Sequence, residues 1–305
     1  MIKLMQTAAN DEPAILYKRI VDSLYRYAEQ MRSVASLYVK AWVGAVAANL
    51  LLLLVETAHL RSLAGKFMKG QLEAVSLAGT GFNYLILEVA VVGGLSIAVA
   101  YIFLKYIAMG VGFSGVLVDV ERIVRGESSD AGLMRSKIRF NHYTIQDSYE
   151  GYYTVLKLQV VLLVLVVALL VVMRNRYVEQ SAALLEEAAS GRLDRVVEIV
   201  EPAYPVIILA GLADLALLVA RIYYVKPFFE ALTDCVGADS SIVIYYILAE
   251  ASPFIARFLG LLGVLLALFI LATFFKKLYE LSDEVIRSIG SFRASLKRAL
   301  GIARL

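Results

Sequence analysis

The chain has 305 residues, 60% of them hydrophobic and 19% charged, with a formal net charge of +3. A water-soluble domain is nearer half apolar and a quarter charged, and here the apolar residues are clumped into runs of about 20, the length that matches a bilayer's hydrocarbon core. That excludes an ordinary soluble globular domain, and since backbone groups in lipid must bond within their own segment, the runs are expected to be helices. The expected fold class is therefore an all-α polytopic integral membrane protein, its solvent including the lipid bilayer. The single cysteine, Cys235, excludes an internal disulfide and a cysteine metal cluster. Asn and Gln together number 11, a scarcity that fits a thermophile.

Residues 1–36 precede the first apolar run and form one expected domain, a cytoplasmic amphipathic helix. Asp11 and Pro13 mark its start. Tyr17, Ile20, Leu24, Tyr27, Met31, Val34 and Tyr38 then recur at alternating three- and four-residue steps, an a/d stripe. Such a stripe packs on the protein's own cytoplasmic face or on a second copy, and the first is the ordinary outcome. The first long apolar run begins only near Leu37, after charged residues, which is wrong for a cleavable signal peptide.

Residues 37–275 form the expected transmembrane domain. Its spans fall at about 40–60, 82–104, 152–173, 203–225, 237–251 and 254–275, about six in all. The fifth is short enough to be half-inserted. Ser252 and Pro253 mark a tight turn between the last two, because one helix over 236–275 would be about 60 Å long, twice the hydrocarbon thickness. Between spans, 61–80 reads as a short helix ending in glycines, 119–150 as a charged segment, and 177–202 as an acidic helical hairpin. Residues 276–305 form a basic amphipathic cytoplasmic tail. Leu278, Leu281, Val285, Ile289, Phe292, Leu296 and Leu300 share one of its faces, a pattern that lies at lipid headgroups or against a partner.

Lys and Arg are enriched on cytoplasmic flanks. Leaving out Lys105, Lys157, Arg221 and Arg257, which lie in or at the edges of spans, six spans put 19 on the side of both termini and 7 on the other. With five spans the split is 12 against 14, which gives no orientation. The expectation is a multi-pass protein of the cell membrane with both termini cytoplasmic. Small residues let helix backbones approach in lipid. Ala90, Gly94 and Ala98 in the second span, with similar pairs in the fourth and sixth, place those three spans at the centre and turn the Val- and Leu-rich third span to lipid.

Polar groups within spans are costly and mark function or a structural pair. Asp214, about 11 residues into the fourth span, is the foremost candidate, as an ion or proton site or as an acid paired with Asn49 at similar depth in the first span. Glu88 lies near the outer end of the second span, Arg221 near the inner end of the fourth, and Glu250 and Arg257 flank the Ser-Pro turn. Lys40, Lys105 and Lys157 are expected to snorkel to water.

No Walker A sequence, GxGxxG or HExxH is present. No catalytic, cofactor-binding or metal-ligating set is expected. His59 and His142 fall near opposite membrane faces. The run Gly112–Phe113–Ser114–Gly115 resembles the serine motif of rhomboid-like intramembrane proteases, but those need a histidine on a neighbouring span, and no span offers one at that depth. Energy input would then come from an ion gradient or a separate ATPase.

The functional expectation is a pathway-forming membrane subunit, a channel or a component of transport or translocation, associating with itself or with other membrane subunits. The alternative is a platform that docks a cytoplasmic ATPase. In layout the chain resembles the polytopic inner-membrane subunits of secretion, conjugation and DNA-exchange machines. A membrane enzyme is the third reading, and direct nucleic-acid binding is not evident.

Overall fold

The computed structural model describes residues 2–123, 129–191, 204–237, 242–258, 260–300 and 302. Every described element is an α-helix: α1 Ile2–Met68, α2 Ala74–Ile123, α3 Ser129–Ala189, α4 Tyr204–Val236, α5 Ile242–Phe258 and α6 Gly260–Ala299. Four of them, α1 to α4, are long and apolar enough to cross a membrane. The first three have 67, 50 and 61 residues. At about 1.5 Å per residue each far exceeds the roughly 30 Å of a hydrocarbon core.

The helices outrun the expected spans because the charged segments keep helical periodicity. Along α3 the buried positions Asn141, Ile145, Ser148, Tyr152, Val155 and Gln159 follow three- and four-residue steps from the charged segment into the apolar run. Residues 61–80 are accordingly not a separate helix. α1 continues through Gly65 to Met68 and is closed by a Schellman turn. Gly70 adopts φ +69° there, Gly70 N–H donates to Phe67 O (2.9 Å) and Gln71 N–H to Lys66 O (2.9 Å). Likewise α3 runs on to Ala189, so residues 177–189 extend the third span's helix, and 192–203 lie outside the described residues.

The chain divides into two compact units. The first comprises Met1–Lys40, Tyr101–Thr154 and Ala220–Leu305, the second Ala41–Ala100 and Val155–Val219. α1 to α4 each contribute to both.

The first unit has an aromatic core. Tyr38, Phe103, Tyr152, Phe229, Tyr246 and Phe274 are all fully buried. Phe103 stands 4.1 Å from Tyr246 and 5.7 Å from Tyr152, centroid to centroid, and Tyr246 lies 5.7 Å from Phe274. Ring pairs of this kind contribute about 0.5–1.5 kcal/mol each beyond area burial. α1 and α6 run antiparallel: Tyr38 meets Phe274 (6.4 Å), Arg32 meets Asp283 (3.3 Å) and Tyr17 meets Arg293 (2.7 Å). Of the α1 stripe, Tyr17, Ile20, Leu24, Met31 and Tyr38 are buried, whereas Lys18, Arg19, Arg26 and Glu29 are exposed. Leu278, Leu281, Val285, Ile289 and Leu296 of α6 are buried as well. Phe292 and Leu300 on the same face are half-buried.

The second unit has the opposite exterior. Leu51 and Leu54 of α1, Val164 and Val172 of α3, and Leu209 and Leu215 of α4 are exposed, Val172 to 82%. Apolar side chains clustered on the outside belong in lipid. Its packing differs from the expected order. A Cβ on Gly94 would have open space, while one on Gly93 would lie 2.6 Å from Leu163. α2 therefore meets α3 through Gly93, one position round from the small-residue stripe. α4 is as outward-facing as α3.

α5 and α6 pack together as a helical hairpin, with Tyr246 and Phe274 facing each other. The turn is not at Ser252–Pro253. α5 continues through both to Phe258. Proline lacks the N–H that would serve the Ala249 carbonyl, and Ser252 Oγ donates to that carbonyl at 2.7 Å. The neighbouring hydroxyl fills the gap in the ladder, so the helix does not end there.

Candidate functional site

Asp214 lies on α4 in the second unit, where the buried face marked by Leu218 meets the exposed face marked by Gly211 and Leu215. Gln159 of α3 donates its Nε2–H to Asp214 Oδ1 at 3.3 Å. Gln159 is buried and Asp214 half-buried. The hydrogen bond to Asp214 comes from α3, on a residue that sequence reasoning left out. The signal was present: Gln159 is the lone side-chain amide in the run 152–173. Asn49 of α1 is buried in the same unit, and its Oδ1 has no hydrogen-bond partner among the described residues. A carboxylate accepts several hydrogen bonds. The one donated by Gln159 helps to fix Asp214 in place.

The other polar candidates do not gather around it. Glu88 is half-buried on α2 of the second unit. Arg221 belongs to the first unit, where it is fully buried with its guanidinium 5.9 Å above the Tyr152 ring. Glu250 and Arg257 are on α5, with side chains outside the described residues. Lys40, Lys105 and Lys157 are all exposed. Lys105 Nζ lies 5.2 Å from the Tyr101 ring.

The two histidines are in different units. His59 Nδ1 is 2.9 Å from Tyr84 Oη in the second. His142 Nδ1 is 2.9 Å from Ser114 Oγ in the first. The serine run therefore does have a histidine beside it. It comes from the helical extension of α3 below the apolar run, a stretch that read as merely charged. Ser114 Oγ also lies within hydrogen-bond distance of Val111 O, at 3.0 Å. Ser114 is 1% exposed. One helical level away, buried Glu121 accepts from Arg139 Nε at 2.7 Å. The two contacts tie α2 to α3 in the first unit.

Compared with known proteins, the chain matches no family model, no curated protein and no solved structure.

Proposed function

We propose that the chain is a pathway-forming membrane subunit, a channel or translocation component without its own nucleotide site, whose route is completed by further copies or other membrane subunits. The observation that carries this reading is the Asp214–Gln159 pair. Gln159 is buried and Asp214 half-buried, at the edge of an apolar exterior. A carboxylate facing lipid costs about 2.5–3.5 kcal/mol on insertion scales. A surface that holds one is better matched to a wet route or a neighbouring subunit than to acyl chains. The decisive experiment labels a cysteine at position 214 in a Cys235→Ser background, in native membranes, with a charged methanethiosulfonate reagent. Reaction within a few-fold of the rate at a loop cysteine is expected. Protection equal to that of a cysteine at Val164 would remove the pathway reading.

The topology that accompanies it has both termini cytoplasmic. α1 to α4 cross the bilayer, and the α5–α6 hairpin carries the fifth and sixth apolar runs in and back. α5 has 17 residues, about 26 Å, and Ile242, Val243, Tyr246, Ala249 and Ser252 are buried within the first unit. Its short length and its buried face favour a half-inserted fifth run, with the tail returning to the side it left.

A second reading, the platform that docks a cytoplasmic ATPase, is favoured by one observation. On α3 of the first unit Phe140 and Tyr143 are exposed to 71% and 63%, beside exposed Lys137 and Arg139. Aromatics next to arginine are enriched at protein interfaces. Co-purification of a stoichiometric ATPase that is lost on Phe140→Ser with Tyr143→Ser would establish this reading, and retention would end it.

A further inference from the structure

Within the second unit, α2 and α3 line an open groove of about 390 Å³. Its central feature is Arg174, the residue directly after the apolar run of α3. Arg174 Nε donates to Asn83 Oδ1 at 2.8 Å and Nη1 to Asn175 Oδ1 at 3.4 Å. The remaining terminal nitrogen lies over Gly79, 3.6 Å from where a Cβ would be. Two side-chain amides thus hold the guanidinium, and glycine leaves it room. Among the described residues no carboxylate lies within ion-pair distance of it. A guanidinium offers five N–H donors in a planar fork matched to phosphate oxygens, and only two are engaged here. Ser76 lines the same groove. Thr80 lines it too, with its own proton already given to Ser76 O at 3.0 Å.

The surroundings identify the ligand class. Val171, one turn before Arg174 on the same side of α3, is exposed to 54%, and Val75 of the groove wall to 51%. A phosphate on Arg174 would carry apolar chains down that surface. Glu179 lines the groove on the α3 side. A second negative charge on the headgroup would meet Glu179, whereas an amine would find a partner in it.

We propose that this groove binds the phosphate of a phospholipid headgroup, Arg174 and Ser76 holding the phosphate and Glu179 favouring a headgroup that also carries an amine. The proposal does not depend on the pathway reading. Free inorganic phosphate has the same anion chemistry without the chains, and the experiment separates the two. The full chain in detergent is titrated, by native mass spectrometry, with dihexanoyl phosphatidylethanolamine, dihexanoyl phosphatidylglycerol and inorganic phosphate. The expected order is ethanolamine lipid over glycerol lipid by several-fold, with inorganic phosphate at least tenfold weaker than either. Arg174→Gln should lose about tenfold for both lipids. Ser76→Ala, at an exposed position with no fold to upset, should lose a few-fold. Glu179→Gln should erase the preference between the two lipids. Unchanged lipid binding in both Arg174→Gln and Ser76→Ala, or inorganic phosphate binding as well as either lipid, would overturn the assignment.

Discussion

Single side chains in this protein are tuned by how closely helices approach. A Cβ on Gly151 would run into the Tyr224 ring, while one on Gly94 would meet nothing. Gly151→Ala is therefore expected to destabilise by about 1–3 kcal/mol through overpacking. Gly94→Ala should be neutral or should stabilise by up to about 1 kcal/mol, the helix-propensity gain. Thermal unfolding in detergent measures both, and equal shifts would contradict the packing. Cys235 offers a pH readout in the first unit. Burial pushes its thiol up, partly opposed by the hydrogen bond from Asn141 Nδ2 at 3.4 Å. The thiolate is the reactive form. Alkylation at pH 8 should thus be slower than for the denatured chain. The sign for stability follows: the raised thiol contributes fully below the ordinary thiol range, and that contribution is lost as pH rises through the folded value. Asp214 was legible in the sequence because a charge in an apolar run stands out. Gln159 stood out as a lone amide, but its pairing with Asp214 and the amide partner of Arg174 on α2 were not legible, because spacing along one helix does not report contacts across two.

Helices as units show a different division between what pattern reveals and what it hides. The apolar runs of α1 to α4 were visible from composition. Their continuation for tens of residues beyond the bilayer was not, since charged residues on one face of a helix resemble a loop when only their number is counted. The clearest instance is α3, where Asn141, Ser148 and Gln159 are polar yet occupy buried positions of the same stripe as Ile145 and Tyr152. The Ser-Pro pair misled in the other direction, because a hydroxyl placed one residue before the proline restores the lost hydrogen bond. The α1–α6 pair divides its stability unequally between core and surface. Leu24 is fully buried, and Leu24→Ala should cost about 2–5 kcal/mol. The Arg32–Asp283 pair has side chains 43% and 31% exposed. A double-mutant cycle across it should give no more than about 1 kcal/mol. A coupling energy of several kcal/mol would mean that the pair is sealed from water by something bound to this surface.

At the scale of the whole molecule the sidedness of the chain is the testable quantity. Ser190 follows α3 and Ser291 lies on α6. In a Cys235→Ser background, an impermeant maleimide applied from outside should label a cysteine at 190 and miss one at 291 until the membrane is permeabilised. Labelling of 291 from outside would place the tail on the wrong side and end the topology. The antiparallel contact of α1 with α6 bears on how the protein is made. Tyr17 and Arg293 are separated by 276 positions, and the aromatic core needs Tyr38 from near the start and Phe274 from near the end. Contacts this distant close late, and a ribosome delivers residues in order. The part of the α1 stripe that meets α6 must therefore wait until almost the whole chain has emerged, whereas Tyr27 and Tyr38 also meet Gly112 and Phe103 of α2. Nascent chains stalled before α6 should be the aggregation-prone and protease-sensitive species, and a chaperone or the membrane surface itself would have to shelter that stripe in the interval.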